Sequence, residues 1–148
     1  MLVVDNANQT WQMLQINRDT ITKVPVLDVM GGVSAYADEQ IALAHYYGNG
    51  GKNSCENTEL AVSMLLDDQP INGYLALNMD AVGIVTDLVG GVTLTITSDF
   101  SEVDPSLVQG DTMTLDGQKA LTYVRSRHHI DDQTNIARMR RQQQFLTA

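Results

Sequence analysis

Residues 118–148 hold Lys119, Arg125, Arg127, Arg138, Arg140 and Arg141 against only Asp131 and Asp132, a net +4 in a chain of formal charge −9. The other residues therefore carry −13. Five of these six cations are arginine, whose planar guanidinium matches the paired oxygens of phosphate or carboxylate better than an ammonium does. An anionic ligand is the first expectation. The same charges would also suit a solvated helix face paired with acidic surface. If residues 134–147 are helical, Arg138, Arg141 and Gln142 stand at i, i+3 and i+4 and share a face, with Met139 and Phe145 on others and Arg140 on ordinary surface. Arg125 and Arg127, one residue apart, share a side only if the backbone there is extended.

These side chains need elements to hold them. Residues 1–4 and 11–16 are apolar-rich and flank a polar stretch, which predicts a β-hairpin whose first strand opens the chain. Asn17-Arg18-Asp19-Thr20 follows, placing a charged pair at the end of the second strand. The apolar run 21–29 is broken by Pro25. Residues 37–47 read as a helix stopped by Gly48-Asn49-Gly50-Gly51, and Ser54 as the N-cap of a helix through Leu66, with Leu60, Ala61, Met64 and Leu65 facing a core. Residues 73–79 read as a short strand, and Asp80 as the cap of a helix through Leu88 that ends at Gly90-Gly91. Residues 92–97 alternate as a strand, and residues 99–114 are polar and irregular. Residues 116–124 and 134–147 form the last two helices.

A chain of 148 residues with 43% hydrophobic content suits one domain, residues 1–148, of mixed α/β class. It contains no apolar run of the roughly 18 residues that a membrane span needs, and its start lacks the pattern of a signal peptide. Cys55 is the only cysteine, so neither an internal disulfide nor a cysteine metal cluster is available. A pI near 4.5 and few aromatics oppose nucleic-acid binding. His128 and His129 are adjacent and cannot share a helical face as a zinc pair would; His45 reads as a packed helix residue. The glycine loop 48–51 lacks a P-loop ending, and no serine nucleophile elbow is present.

Six segments taken in order carry a resemblance: Ile16-Asn17-Arg18-Asp19-Thr20, Asp87-Leu88-Val89-Gly90-Gly91-Val92, Leu115-Asp116-Gly117, Ala120-Leu121, Tyr123-Val124-Arg125-Ser126-Arg127 and Arg138-Met139-Arg140-Arg141-Gln142. Together they resemble the LytR-CpsA-Psr family over essentially the whole chain. The resemblance implies a three-layer α/β/α sandwich around a mixed sheet, with an apolar tunnel for lipid. It implies phosphotransfer on the extracytoplasmic face of mainly Gram-positive bacteria, moving teichoic acid or capsule from a polyprenyl diphosphate carrier to peptidoglycan. Arg18, Arg125, Arg127 and Arg138 would contact the diphosphate, Arg141 would join the substrate-binding set, Gln142 would add a hydrogen bond, and Asp19 would orient Arg18. That chemistry suits arginines, because phosphoryl transfer depends mainly on positioning and charge stabilisation.

The chain departs from the family pattern in two places. Asn135 stands where the family usually has an aspartate three residues before the first arginine of Arg-x-x-Arg-Gln. The aspartates that hold the family's Mg²⁺ lie mostly upstream of residue 1, and the usual C-terminal extension is also missing. The expectation is an incomplete domain of a protein anchored in the membrane by a segment outside this chain. Two functions follow: a glycopolymer phosphotransferase, or a non-catalytic domain that binds polyprenyl phosphate or anionic polymer. Asp87, near a helix end beside two glycines, reads as structural.

Overall fold

A computed structural model describes residues 1–148 and shows two compact units, Met1–Ala76 and Leu77–Ala148. The first contains β1 (Leu2–Asp5), β2 (Thr10–Met13), β3 (Ile21–Leu27), β4 (Val33–Gln40), two 3₁₀ turns (Ile41–Leu43 and Tyr46–Gly48) and α1 (Gly51–Leu65). The second contains α2 (Met79–Leu88), β5 (Val92–Thr95), β6 (Thr112–Leu115), α3 (Gly117–Arg125) and α4 (Asn135–Thr147). The strands pair as three antiparallel two-stranded sheets, β1–β2, β3–β4 and β5–β6. The class is mixed α/β, an interleaving of small sheets with helices consistent with the expected three-layer sandwich. No helix is long and apolar enough to cross a membrane.

In the first unit the expected hairpin forms, with Val4 opposite Trp11, although β2 stops at Met13. Arg18 and Asp19 therefore sit not on a strand end but in the turn before β3, fixed by Asn17 Oδ1 accepting from Asp19 N–H at 3.0 Å. Residues 37–47 are not a helix. Ala37 to Gln40 complete β4 against Val24 to Ile21, and the remainder makes the two 3₁₀ turns. Cross-strand pairing to an apolar β3 overrides local helix propensity there. His45 is exposed, contrary to its expected packing. Helix α1 starts before Ser54, capped at Gly50, and Ser54 Oγ accepts from Gly50 N–H at 2.8 Å. Its inner face meets a small core of Val24, Ile41, Ala44 and Ala61, flanked by Leu65, while Leu60 stays exposed. Buried Asn57 donates from Nδ2 to the carbonyls of Pro25, 2.9 Å, and Ala44, 2.7 Å, so one amide ties β3 to the 3₁₀ region.

The second unit is organised on a larger core of Leu94, Ile96, Phe100, Leu107, Leu115, Ala120, Tyr123, Val124 and Ile130. Residues 73–79 form no strand; Asn78 caps α2 in place of Asp80, accepting from Ala81 N–H at 2.9 Å. The stretch 99–114 is irregular only up to β6, which pairs with β5 through hydroxyl contacts of 2.7 Å at Thr93–Thr114 and Thr95–Thr112. Helices α2 and α3 cross where two glycines meet: a Cβ on Gly117 would lie 2.4 Å from Gly83 O and 2.6 Å from Asp87 Oδ2. Asp87 Oδ1 accepts from Gly117 N–H at 2.7 Å, which gives that carboxylate its structural role. Gly91, at φ +97°, brings the chain against Leu115 O so that β5 can begin.

Candidate anion-binding site

The arginine-bearing elements of the second unit are the end of α3, the start of α4 and the segment between them. Asp116 starts α3 by accepting from Lys119 N–H at 2.9 Å, and Ala120, Tyr123 and Val124 turn inward at i, i+3 and i+4. Ser126 leaves the helix in an extended conformation, φ −63° and ψ 138°. Arg125, in the last turn, and Arg127, just beyond, are both exposed. A cation at this helix end faces the negative pole of the backbone dipoles. Neither arginine enters an ion pair with the protein, so both guanidinium groups face solvent.

Helix α4 begins through a relay of caps. Thr134 Oγ1 accepts from Ala137 N–H at 3.1 Å and donates to Asp132 Oδ1 at 2.7 Å, and that oxygen also accepts from Thr134 N–H at 2.9 Å. The Thr134 hydroxyl and then its N–H hold the Asp132 carboxyl below its usual range, with a further contribution from the charge of Arg140. One turn into α4, half-buried Arg138 donates from Nη2 to Asn135 Oδ1. The residue that stands where the resemblance implies an aspartate thus meets this arginine with a neutral amide.

Arg141 is in a different situation from the ligand face its spacing suggested. Its side chain is 2% exposed and its donors meet protein groups: Nε to Tyr123 O at 3.2 Å, Nη1 to Asp131 Oδ2 at 2.5 Å and Ser98 Oγ at 3.4 Å, and Nη2 to Ser126 O. The guanidinium carbon stands 5.6 Å from the Phe100 ring centroid, and Phe100 stacks on Tyr123. Ser98 donates to Asp131 Oδ2 at 2.6 Å, so the buried charge has both a counter-ion and hydrogen-bond partners. Removing one partner from such a pair typically costs about 3–5 kcal/mol. Gln142 donates from Nε2 to Val124 O at 3.1 Å. Sequence reasoning missed Ser98, Asp131 and Phe100 because an arginine's type does not reveal whether it is buried.

In the first unit, Arg18 Nε and Asp19 Oδ1 lie 3.8 Å apart, with side chains 60% and 45% exposed. Pairs this exposed contribute at most about 1 kcal/mol. No group of three His, Cys, Asp or Glu side chains is arranged to hold a metal ion. Several of the second unit's carboxylates are already engaged by other groups: Asp87 by Gly117, Asp116 by Lys119, Asp131 by Arg141 and Ser98, Asp132 by Thr134. His129 Nδ1 contacts Glu102 at 3.1 Å. Mg²⁺ asks for several oxygens in octahedral array, so these residues do not fit the ion that the resemblance implies.

The LytR_cpsA_psr family model matches residues 1–148, through both units. The chain belongs to that family. It is 30% identical over 145 residues to the polyisoprenyl-teichoic acid–peptidoglycan teichoic acid transferase TagU of Bacillus subtilis, covering 98% of this chain and 42% of that protein. The crystal structure of B. subtilis TagT matches 99% of this chain and 56% of its own with a TM-score of 0.76 and 28% identity. A structure of the LytR-CPS2A-psr family protein YwtF (TagT) with bound octaprenyl pyrophosphate lipid gives a TM-score of 0.71 at 28% identity, over 99% of this chain and 55% of that one. This LytR_cpsA_psr chain thus spans less than half the length of its curated relative TagU.

Proposed function

We propose that this chain binds the phosphate end of a polyprenyl-linked anionic glycopolymer, with Arg125, Arg127 and Arg138 as its cationic contacts. The observation that carries the reading is the pair Arg125 and Arg127, exposed and outside any ion pair in a protein of net charge −9. Such guanidinium groups can take a diphosphate in bidentate hydrogen bonds. Lipid complementarity is supported by α2, packed against α3, which leaves Ile84, Val85 and Leu88 at 61%, 48% and 80% exposure. The relative YwtF (TagT) with bound octaprenyl pyrophosphate supports the same ligand class. Arg18 and Asp19 are proposed as anion-contacting and orienting residues on the family motif alone, and Gln142 as a donor beside Arg138.

For the whole protein we propose transfer of teichoic acid or capsular polymer from a polyprenyl diphosphate to peptidoglycan at the extracytoplasmic face of the membrane, in a membrane-anchored parent. The names of the relatives TagU and TagV, polyisoprenyl-teichoic acid–peptidoglycan teichoic acid transferases, support the teichoic acid and peptidoglycan part of this reading. In such a transfer the arginines would bind and orient the phosphates and offset charge on the leaving group. Mg²⁺ would supply further charge neutralisation only through ligands that this chain does not assemble. The binding reading is therefore the one these residues support best.

Calorimetry with a short-chain polyprenyl diphosphate tests it. Saturable binding that weakens by roughly tenfold or more on Arg125→Ala or Arg138→Ala is expected, the scale of a lost charge-assisted hydrogen bond. Equal affinity in wild type and both variants would refute the site.

A further inference from the structure

We infer that Arg141 is a positioning residue for the phosphate-contacting arginines, acting through the backbone that carries them. The inference rests on the binding reading above and deepens it.

The last carbonyls of a helix have no partner within it. In α3 the Thr122 carbonyl accepts from Ser126 N–H, and the next two are met from α4: Tyr123 O by Arg141 Nε and Val124 O by Gln142 Nε2. Arg141 then reaches past Arg125 to Ser126 O, the peptide between the two exposed arginines. One planar side chain thus holds the backbone both before Arg125 and immediately before Arg127. Its Nη1 also fixes Asp131, in the segment leading to Arg138, and Ser98 and the Phe100 ring fix the guanidinium in turn.

The local backbone gives this clamp a task. His129, Asp131 and Gln133 adopt left-handed φ values of 61°, 50° and 58°, a backbone that few non-glycine residues adopt, Asp and His more often than most. The Arg141–Asp131 contact ties down the side chain of the middle residue. Binding sites depend on supports that fix the geometry of the contacting groups. With Arg141 buried and neutralised by Asp131, its role is to set the directions from which Arg125 and Arg127 leave the backbone.

Lysine at 141 keeps the charge but has a single nitrogen, which cannot span Tyr123 O, Ser126 O and Asp131 together. Arg141→Lys is expected to remain folded by circular dichroism at the assay temperature and to bind farnesyl diphosphate about tenfold more weakly in calorimetry. In an Arg125→Ala/Arg127→Ala background the same change should cost less than about twofold, because the groups it positions are gone. A loss as large in that background as in wild type, or no loss in either, overturns the proposal. Should Arg141→Lys unfold, Asp131→Asn, which loosens the clamp from its other side, takes its place in both backgrounds, and the same losses support or overturn the proposal. If wild type does not bind the probe, the binding reading itself fails. The positioning role is then judged by NMR backbone order parameters at residues 125–128: a fall in the variant supports it and unchanged values overturn it.

Discussion

Gly117→Ala should destabilise the second unit by more than any other single-methyl insertion at a glycine of that unit. The added Cβ would stand 2.4 Å from the backbone oxygen of Gly83 and 2.6 Å from Asp87 Oδ2. Neither atom can yield easily: the first belongs to the α2 backbone, and the second to the carboxylate whose other oxygen accepts from Gly117 N–H. Relieving the contact means moving α2 away from α3, an overpacking cost of about 1–3 kcal/mol. Breaking the charged hydrogen bond adds about 1.5–3 kcal/mol. Together these amount to roughly 2.5–6 kcal/mol, or a fall in Tm of about 5–24 °C at 2–4 °C per kcal/mol for a chain of this size. Gly90→Ala is the control, because its Cβ would meet nothing within 4 Å and only its φ of +84° opposes the change, for a cost of about 1–2 kcal/mol. Scanning calorimetry of both variants beside wild type reads the difference. A Gly117→Ala melting temperature within about 2 °C of wild type would refute the tight helix crossing, and with it the structural role given to Asp87.

Two further outcomes are expected. Arg127→Lys keeps a positive charge but loses the bidentate fork, so calorimetry should show it losing most of the diphosphate affinity that Arg127→Ala loses; full affinity in the lysine variant would show that only diffuse charge matters. The Asp132 carboxyl is held below its ordinary value of 3.8 by Thr134, so its contribution to stability is fully present above that pH and disappears as the pH falls through its lowered folded value. Acid unfolding of Asp132→Asn should be less steep below pH 3.8 than that of wild type, and identical acid slopes would discount the cap relay.

Where local chemistry and tertiary packing agree, the sequence discloses the element. Asp116 and Thr134 cap α3 and α4 at the expected places, and Gly90-Gly91 ends α2. Ala37-Asp38-Glu39-Gln40 reads as helical because Ala, Glu and Gln favour that state, but β3 pairs with these residues as a strand instead. The strand at Thr112 does alternate polar and apolar residues, but over only four positions at the end of a polar stretch, too short a run to stand out. The candidate site divides in the same way. Exposed Arg125 and Arg127 announce themselves by type and position, whereas Arg141 looks equivalent until the fold shows it buried against Asp131. Of the six segments that carry the family resemblance, the two containing Asp87 and Gly117 meet at the helix crossing, so they record architecture rather than chemistry.

The contact between Asn57 and Pro25 also bears on solubility. In an antiparallel strand the N–H and C=O of one residue point to the same side. Pro25 O is taken by the Asn57 amide and Pro25 has no N–H, so the side of β3 turned away from β4 offers an incoming strand neither donor nor acceptor at that residue. An unpaired strand edge is the usual template for intermolecular association, and proline is one of the devices that disable it. β3 is paired on one side only, and it is the most buried strand of its unit. At Pro25 the open side of β3 is therefore closed by one imino acid and one buried amide, in a strand that also packs against α1.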